Sequence, residues 1–222
     1  MRSEMVRSCR VLFASGLADS LGGFVAVRDP SGDGVWVTRD GVGFDEVGVD
    51  DVQLVPLDGD DRSTRAETGG EIDIAVAIMT ARADVDAVVH VHSLHATAFS
   101  AVGRSLDALS HEGCHLVPPD VARWRGGGAT SDARGVAAAI AQRNAVLLAG
   151  HGQLTAAATL GEAVALAVYL EKACQLQLMV GPQFHGAGDE EVSLKRSGQM
   201  ARPIISWEYL RRTTTIDDGA LS

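Results

Sequence analysis

The stretch that most constrains this chain is Val88–Ser93, which reads Val-Val-His-Val-His-Ser. Its apolar, β-branched approach predicts a buried strand. Side chains at i and i+2 of a strand share one face, so His90 and His92 should stand side by side. The segment Leu94–Gly103 that follows predicts a helix. The fold must therefore carry two imidazoles on one face of a strand that leads directly into a helix.

Two imidazoles on one face are two ligands of a metal site, since neutral imidazole binds zinc, iron, nickel and copper. A catalytic site also needs a third protein ligand and an open position. His151 is the best candidate, because it follows the apolar run Ala145–Leu148 and lies between two glycines that let the backbone come close. Glu71 opens a predicted helix through Arg82, which leads into the histidine strand. From these residues alone, histidines that pack in the core without a metal remain an alternative.

The arrangement of glutamate, helix, strand with H-x-H and, later, strand with Gly-His-Gly resembles the class II aldolase/adducin family. The resemblance runs from about Arg10 to about Val180. The motifs that carry it are Glu71, Arg82–Ser93, Gly150–Thr155 and Gly161–Ala163, which leads on to Leu170–Cys174. It implies an α/β fold, a three-layer α/β/α sandwich with a mostly antiparallel central sheet. It also implies a homotetramer with active sites at the subunit interfaces.

The resemblance assigns roles to the four residues of the proposed centre. It implies that His90, His92 and His151 hold a divalent metal, and that Glu71 contacts this metal and acts as acid and base. The expected metal is zinc, with manganese, iron or cobalt as alternatives. Such an ion would polarise a carbonyl and stabilise an enediolate. The expected function is therefore a divalent-metal-dependent aldolase, a C–C lyase acting on a small hydroxy-carbonyl substrate.

Two other functions remain open. Relatives that use the same metal site include epimerases, dehydratases and decarboxylases. A non-catalytic, adducin-like interaction module is a third possibility, but that version of the fold lacks the metal ligands, which are present here.

The substrate pocket of the sugar-phosphate members is only partly matched. Those proteins bind phosphate with a Gly-Asn pair before the first strand, a Thr-containing turn after the second and a Ser pair ahead of the glutamate. The corresponding candidates here are Gly22, Gly23, Thr38, Arg39, Gly41, Gly69 and Gly70. Glycine N–H groups can meet an anion, but most side-chain donors are missing. Arg39 could bind a carboxylate or phosphate, or it is simply an exposed turn residue. We therefore expect a substrate that is not a standard sugar phosphate.

Two further residues are candidates for proton transfer. His111 falls close to the position where the aldolases carry a proton-donating tyrosine, and imidazole transfers protons readily near neutrality. Tyr209 is the candidate for the C-terminal tyrosine that, in the aldolases, reaches the active site of a neighbouring subunit.

His111–His115 also matches the H-E-x-x-H motif of zinc metalloproteases. That mechanism needs a sustained helix to place both histidines on one face. Gly113 interrupts the motif and two prolines, Pro118 and Pro119, follow it. We therefore expect no protease site here.

Composition bounds the remaining possibilities. The chain has 222 residues, 46% of them hydrophobic, and no Pro/Ser-rich linker, so we expect a single domain over 1–222 with a partly mobile tail from 185. The net charge is −10 without a basic stripe, which argues against nucleic acid as a partner.

We expect no signal peptide and no apolar span of about 20 residues, hence no membrane association. Three distant cysteines indicate a reduced, cytoplasmic protein.

The other elements follow from periodicity and turn signals. The sequence predicts helices over 4–17, 131–143 and 207–212, and a long helix that opens at the capping box Thr159–Glu162 and runs to about Val180. It predicts strands over 24–28, 35–38 and 52–57. Trp124–Gly128 is predicted to be a loop, and 181–200 a mobile surface segment.

Overall fold

A computed structural model describes residues 1–19, 21–56, 70–126, 132–198 and 202–215. Within these ranges the strands are β1 Phe24–Arg28, β2 Gly34–Thr38, β3 Val52–Pro56, β4 Ala87–Val91, β5 Ala122–Trp124, β6 Ala145–Leu148 and β7 Gly152–Ala157. The helices are α1 Arg2–Ala14, α2 Ile72–Ala81, α3 Leu94–Val102, α4 Ala133–Ile140, α5 Leu160–Val180, α6 Asp189–Ser197 and α7 Pro203–Thr213. Short 3-10 turns lie at Val49–Asp51 and Gly113–His115.

The described strands form one sheet in the order β3-β2-β1-β4-β7-β6-β5. Neighbouring strands are antiparallel except β5 and β6, which run parallel. The histidine strand β4 lies at the centre, where His90 pairs with Phe24 on one side and Leu154 on the other. The mostly antiparallel sheet that the resemblance implies is confirmed.

Helices cover both faces of the sheet. On one face α2 and α4 contribute Ile74, Ile78, Val136 and Ile140 to an apolar core. On the other face residues of α1, α3 and α5 form a second core. Side chains of β4 alternate between the two, because Val88 joins the first core and Val89 the second. The three-layer α/β/α architecture is confirmed.

Helix α5 is the long element of the second layer. Thr159 accepts a hydrogen bond from the Glu162 backbone N–H, as the capping box predicts. By length and composition α5 is apolar enough to cross a membrane, so the prediction that the chain has no such span was wrong. Its most apolar window is 56% buried inside the fold. Trp207 of α7 also packs over Gly161. These contacts make α5 a core helix.

Two short elements differ from the sequence analysis. Trp124, predicted to lie in a loop, ends β5, whose three residues gain their order from pairing with β6. The segment 181–200, predicted to be a mobile surface segment, contains α6, which buries only Val192. Acidic residues in its first turn and basic residues in its last suit the helix dipole. Leu57, Gly127, Gly128, Ser131, Gln199 and Met200, which belong to predicted segments, lie outside the described residues.

Candidate metal centre

His90 and His92 lie at the end of the central strand. β4 ends at Val91 and His92 follows directly, with its Nε2 atom 3.1 Å from the Nε2 atom of His90. The expectation that the two imidazoles stand side by side is confirmed. His90 is fully buried, and its Nδ1 lies 2.8 Å from the backbone oxygen of Gln153 on β7. Since a carbonyl only accepts, Nδ1 carries the proton and Nε2 presents a lone pair.

His151 occupies the turn that joins β6 to β7. Gly150 before it adopts a left-handed φ of 68°, and the His151 N–H donates to the Leu148 carbonyl at 3.0 Å. This turn places the His151 Nε2 atom 2.8 Å from that of His92 and 3.3 Å from that of His90. The structure thus brings the Nε2 atoms of all three predicted histidines together.

Glu71 completes the group from the start of α2. Its Oε1 lies 3.0 Å from His151 Nε2, and its Oε2 lies 3.3 Å from His90 Nε2. Ligand atoms of the four residues all fall within 4.8 Å of one another. The side chains of Glu71 and His151 are 21% and 28% exposed, so the centre opens on this side while His90 closes the other. A small molecule can therefore approach from the Glu71 side.

The contacts inside the group are those of a cation site. The His90 Nε2 lone pair faces a carboxylate oxygen and two further Nε2 atoms at 3.1 to 3.3 Å. Such acceptor atoms repel one another unless a proton or cation lies between them. Three imidazole nitrogens with a carboxylate are a donor set that zinc and similar divalent ions prefer. The four residues therefore fit a divalent metal.

Electrostatics keep the group ready to bind a cation. Burial, together with the positive charge that His90 and His151 would carry, lowers the pKa of His92 from 6.5 to about 4. Burial raises the pKa of the Glu71 carboxyl, but the N–H and positive charge that His151 and His90 would present to it when protonated outweigh burial and hold that pKa well below its usual range. Near neutral pH His92 is thus a neutral ligand and Glu71 an anion.

Glycines surround the imidazole of His92. A Cβ at Gly22 would lie 2.8 Å from His92 Cε1, and one at Gly152 would lie 3.1 Å from His92 Cδ2. A Cβ at Gly23 would lie 2.5 Å from the His90 backbone oxygen. Gly22 and Gly23 also have φ of 110° and 92°, which L side chains rarely adopt. This pair therefore packs against the histidine segment, and its role toward substrate remains a prediction.

The other candidate substrate residues are largely occupied by contacts within the chain. Thr38 is buried, and its hydroxyl accepts the Val25 N–H at 3.1 Å. Arg39 forms an ion pair with Asp51 at 2.5 Å. The Gly41 N–H donates to the Asp40 carboxylate at 2.9 Å, so an acid already lies where an anion would bind.

Gly70 is exposed beside Glu71, and Gly69 lies outside the described residues.

His111 and Tyr209 do not join the group within one chain. Both are exposed, Tyr209 to 60%. Among the described residues, neither makes a hydrogen bond, ion pair or ring contact with any member of the metal group. Their proposed catalytic roles remain predictions.

The H-E-x-x-H motif does not form a metal site among the described residues. Gly113–His115 is a 3-10 turn, Glu112 pairs with Lys172, and the His115 ring packs at a tilt of 41° against Tyr169, with 5.9 Å between ring centroids. The expectation that this motif is not a protease site agrees with this geometry.

Comparison with known proteins identifies the fold family. Residues 3–178 match the family described as the Class II Aldolase and Adducin N-terminal domain. The chain belongs to this family. The class II aldolase/adducin resemblance seen in the sequence is therefore confirmed.

Relatives of this family member include both aldolases and decarboxylases. Decarboxylase NovR of Streptomyces niveus is 30% identical over 202 residues, 85% of this chain and 73% of that protein. The 5-deoxy-D-ribulose 1-phosphate aldolase of Bacillus thuringiensis serovar kurstaki is 27% identical over 177 residues, 79% and 83% of the two chains. The solved L-fuculose 1-phosphate aldolase of Glaciozyma antarctica superposes with a TM-score of 0.82 at 27% identity, covering 96% and 87%.

Sequence reasoning missed the residues that support the centre of this class II aldolase/adducin protein. Gln153 fixes His90 through a backbone carbonyl, which no side-chain motif reveals. Thr97 donates to the His151 carbonyl at 3.2 Å. Glu171 binds the start of α3. Glu171 stands in a motif that carries the resemblance, so its position was visible, but its partner 76 residues away was not.

Proposed function

We propose that this chain is a divalent-metal-dependent C–C lyase that acts on a small, non-phosphorylated hydroxy-carbonyl compound. The observation that carries the proposal is the convergence of His90, His92 and His151 through Nε2 beside the Glu71 carboxylate. In this assignment the three histidines hold the metal and Glu71 transfers the proton. Zinc is the metal we propose, because three imidazole nitrogens and an open position are typical of catalytic zinc.

The bound ion would supply a Lewis acid that polarises the substrate carbonyl. The chain's own residues do the rest. The buried His90, oriented by Gln153, closes one side of the pocket, and the turn that carries His151 holds its ring beside Glu71 on the open side. Glu71 lies on the open side, where it can accept the substrate's hydroxyl proton as the C–C bond breaks. It can then return that proton to the carbon that keeps the electron pair.

The turn after β2 supports a substrate without phosphate. Asp40 accepts the Gly41 N–H and Arg39 is paired with Asp51, so neither donor is free for a dianion. A negative carboxylate at this turn would also repel phosphate. The Asp40 carboxylate repels a singly charged carboxylate or a neutral hydroxyl group on the substrate less strongly than a phosphate dianion.

Decarboxylation is the second candidate. It is favoured by the lack of a free phosphate-binding donor at Arg39 and Gly41 in the turn after β2. Loss of CO2 from a carbon next to a polarised carbonyl needs the same metal and the same proton donor, and it needs no phosphate anchor. The 30% identity to a decarboxylase supports this candidate. In this reaction the C–CO2 bond breaks and CO2 leaves, while the Glu71 carboxylate takes a proton from solvent water and passes it to the carbon left with the electron pair. Epimerisation and dehydration on the same centre rank below it.

We also propose a homotetramer whose active sites lie between subunits. His111 is exposed and, among the described residues, makes no contact with the metal group of its own chain, so we assign its proton-donating role to the centre of a neighbouring subunit. Tyr209, also exposed, is proposed on the same terms. Cys9, Cys114 and Cys174 are unpaired and buried, which supports a reducing compartment such as the cytoplasm.

The test of this function begins with metal content. Elemental analysis of gently purified protein should find about one divalent ion per chain, and His92→Ala should lose it because two nitrogens and a carboxylate bind far more weakly. His185→Ala, which removes an exposed histidine elsewhere, is the matched control and should keep the ion. Metal retained in His92→Ala, or absent from the unaltered protein, would overturn the assignment.

The metal-loaded protein should then be offered hydroxy-carbonyl acids with and without phosphate. An aldehyde fragment indicates aldol cleavage, whereas release of labelled CO2 indicates decarboxylation. Preference for phosphorylated substrates would contradict the proposed substrate class.

A further inference from the structure

Helix α3 begins at Leu94, shortly after His90 and His92, but the side chain at its N-cap position makes no hydrogen bond to its first turn. Ser93 occupies the N-cap position, where a serine hydroxyl usually accepts a backbone N–H of the first turn. Here that bond is absent, and the Ser93 hydroxyl instead accepts from the Gln153 side chain at 2.8 Å. The first turn of α3 therefore needs another acceptor.

Glu171 of α5 supplies that acceptor. Its Oε1 accepts the His95 N–H at 2.9 Å and lies 2.7 Å from His95 Nδ1, while its Oε2 accepts the Ala96 N–H at 2.8 Å. The Glu171 side chain is only 12% exposed, so water competes little for these bonds. A carboxylate at a helix N-terminus is favoured by the helix dipole, and charge-assisted bonds are stronger than neutral ones.

The same helix also holds the segment that carries the third histidine. The Thr97 hydroxyl donates to the His151 carbonyl at 3.2 Å. The Gly150 N–H donates to the Ser100 hydroxyl at 2.8 Å. One face of α3 therefore bonds to the Gly150–His151 turn, while its first residue follows directly on His92 and Ser93.

We propose that Glu171 is a positioning residue of the metal centre, acting through α3 to set the distance between the His90–His92 segment and the His151 turn. This inference rests on the proposed metal-binding function. Glu171 contacts no member of the metal group in the described structure. Glu171 fixes the first turn of α3, and the Thr97 hydroxyl of the same helix bonds to the His151 carbonyl and so fixes the His151 turn relative to α3.

The expected effect follows from how outer partners of metal ligands behave. Removing such a partner weakens metal binding by about 10- to 100-fold. Glu171→Gln keeps the shape but places an amide N–H against a backbone N–H, so one of the three bonds becomes repulsive. Thr97→Val keeps the volume and removes the hydroxyl donor.

The test is a Co2+ titration of the metal-free full chain, followed by its visible absorption. Co2+ reports both affinity and coordination geometry. Glu171→Gln and Thr97→Val should each bind Co2+ about 10- to 100-fold more weakly and shift its d–d bands. Thr97→Ser, which keeps the hydroxyl, should restore both. Glu162→Gln, on the same helix but bonded to Thr159, should behave like the unaltered protein.

A merely structural role gives a different result. It would lower the unfolding temperature of the metal-free variants but leave Co2+ affinity and band positions unchanged, and that outcome would overturn the inference. The double variant is a further check, because two residues that act through one helix should give less than additive losses. If the unaltered chain binds no Co2+, the proposed function fails; if it binds and the variants match it, only the present inference fails.

Discussion

Glu71 differs from the other members of the centre in charge and exposure. It is the carboxylate among three imidazoles, and its side chain lies on the open side of the group. It lies at the start of α2 next to His90 and His151, and in the proposed assignment the three histidines hold the metal while Glu71 transfers the proton. A substitution at Glu71 can therefore remove proton transfer while leaving metal binding in place.

We expect Glu71→Gln to keep the metal and lose turnover. The amide still fills the space beside His151, but it cannot accept a proton, and general acid–base residues contribute about 10²- to 10⁴-fold in rate. Metal content and turnover of the same preparation check this, with the exposed Glu190→Gln as control. Turnover within a few fold of the unaltered protein would remove Glu71 from the mechanism.

Gly22 offers a test of the packing around His92. Gly22→Ala adds a Cβ 2.8 Å from His92 Cε1 at a φ of 110°, so the imidazole must move. We expect a loss of about 1 to 3 kcal/mol in unfolding free energy and weaker metal binding. Gly16→Ala shares a positive φ of 73° but meets no atom within 4 Å, so it should cost stability without changing metal affinity. Equal metal affinity in both variants would contradict this account.

Strand spacing and flanking glycines, which are local signals, made His90, His92 and His151 candidates, and the family resemblance assigned the roles of these residues and of Glu71. Sequence reasoning could not find Gln153 or Thr97, because a carbonyl on the next strand and a hydroxyl across a turn become partners only after folding.

At the scale of elements, α5 shows why a burial pattern is hard to predict. Its apolar residues are not confined to one stripe, because it packs against the sheet, α3 and α7 at once. Its start was predicted because Thr159 and Glu162 form a local cap. By contrast α6 was missed, since it buries one apolar residue and the usual periodic signal is absent.

The three cysteines lie within buried elements, and this makes them unreactive. Cys9 is in α1, Cys174 in α5 and Cys114 in a 3-10 turn, and all three are fully buried. Burial raises the pKa of Cys9 to about 12 and also raises the pKa of Cys174 and Cys114. At pH 8 roughly one Cys9 in ten thousand would be a thiolate.

A thiol-specific reagent such as Ellman's should therefore find no fast-reacting thiol in the native protein. After denaturation it should find all three. A thiol that reacts within seconds in the native protein would mean that its element is less well packed than the structure shows.

At the scale of the whole molecule, the order of strands is the feature that the sequence could not supply. β5 joins the sheet beside β6, and β7 returns to the centre beside β4, through contacts far apart in the chain. The resemblance implied the layers and the mostly antiparallel sheet, and both are confirmed. That the whole of 1–222 forms one domain with a partly mobile tail remains a prediction.

Shared active sites can be tested by mixing variants. Glu71→Gln and His111→Ala subunits should each be inactive alone, but co-assembled one to one they should recover about a quarter of full activity if neighbouring subunits complete each site. Glu71→Gln mixed with His92→Ala is the control, because each subunit then carries a damaged centre, and it should recover nothing. Failure of the first mixture, with intact oligomers, would place His111 outside the mechanism.

The joining of His90 and His151 across 61 positions in the chain has a consequence for the protein's lifetime. A cation held by both acts as a reversible cross-link between the middle of the sheet and a distant hairpin, and it binds only the folded chain. Ligands of that kind stabilise by about 2.7 kcal/mol when present at 100 times their dissociation constant. Metal starvation would then deplete the protein itself as well as its activity, because the unlinked chain unfolds more often and is degraded.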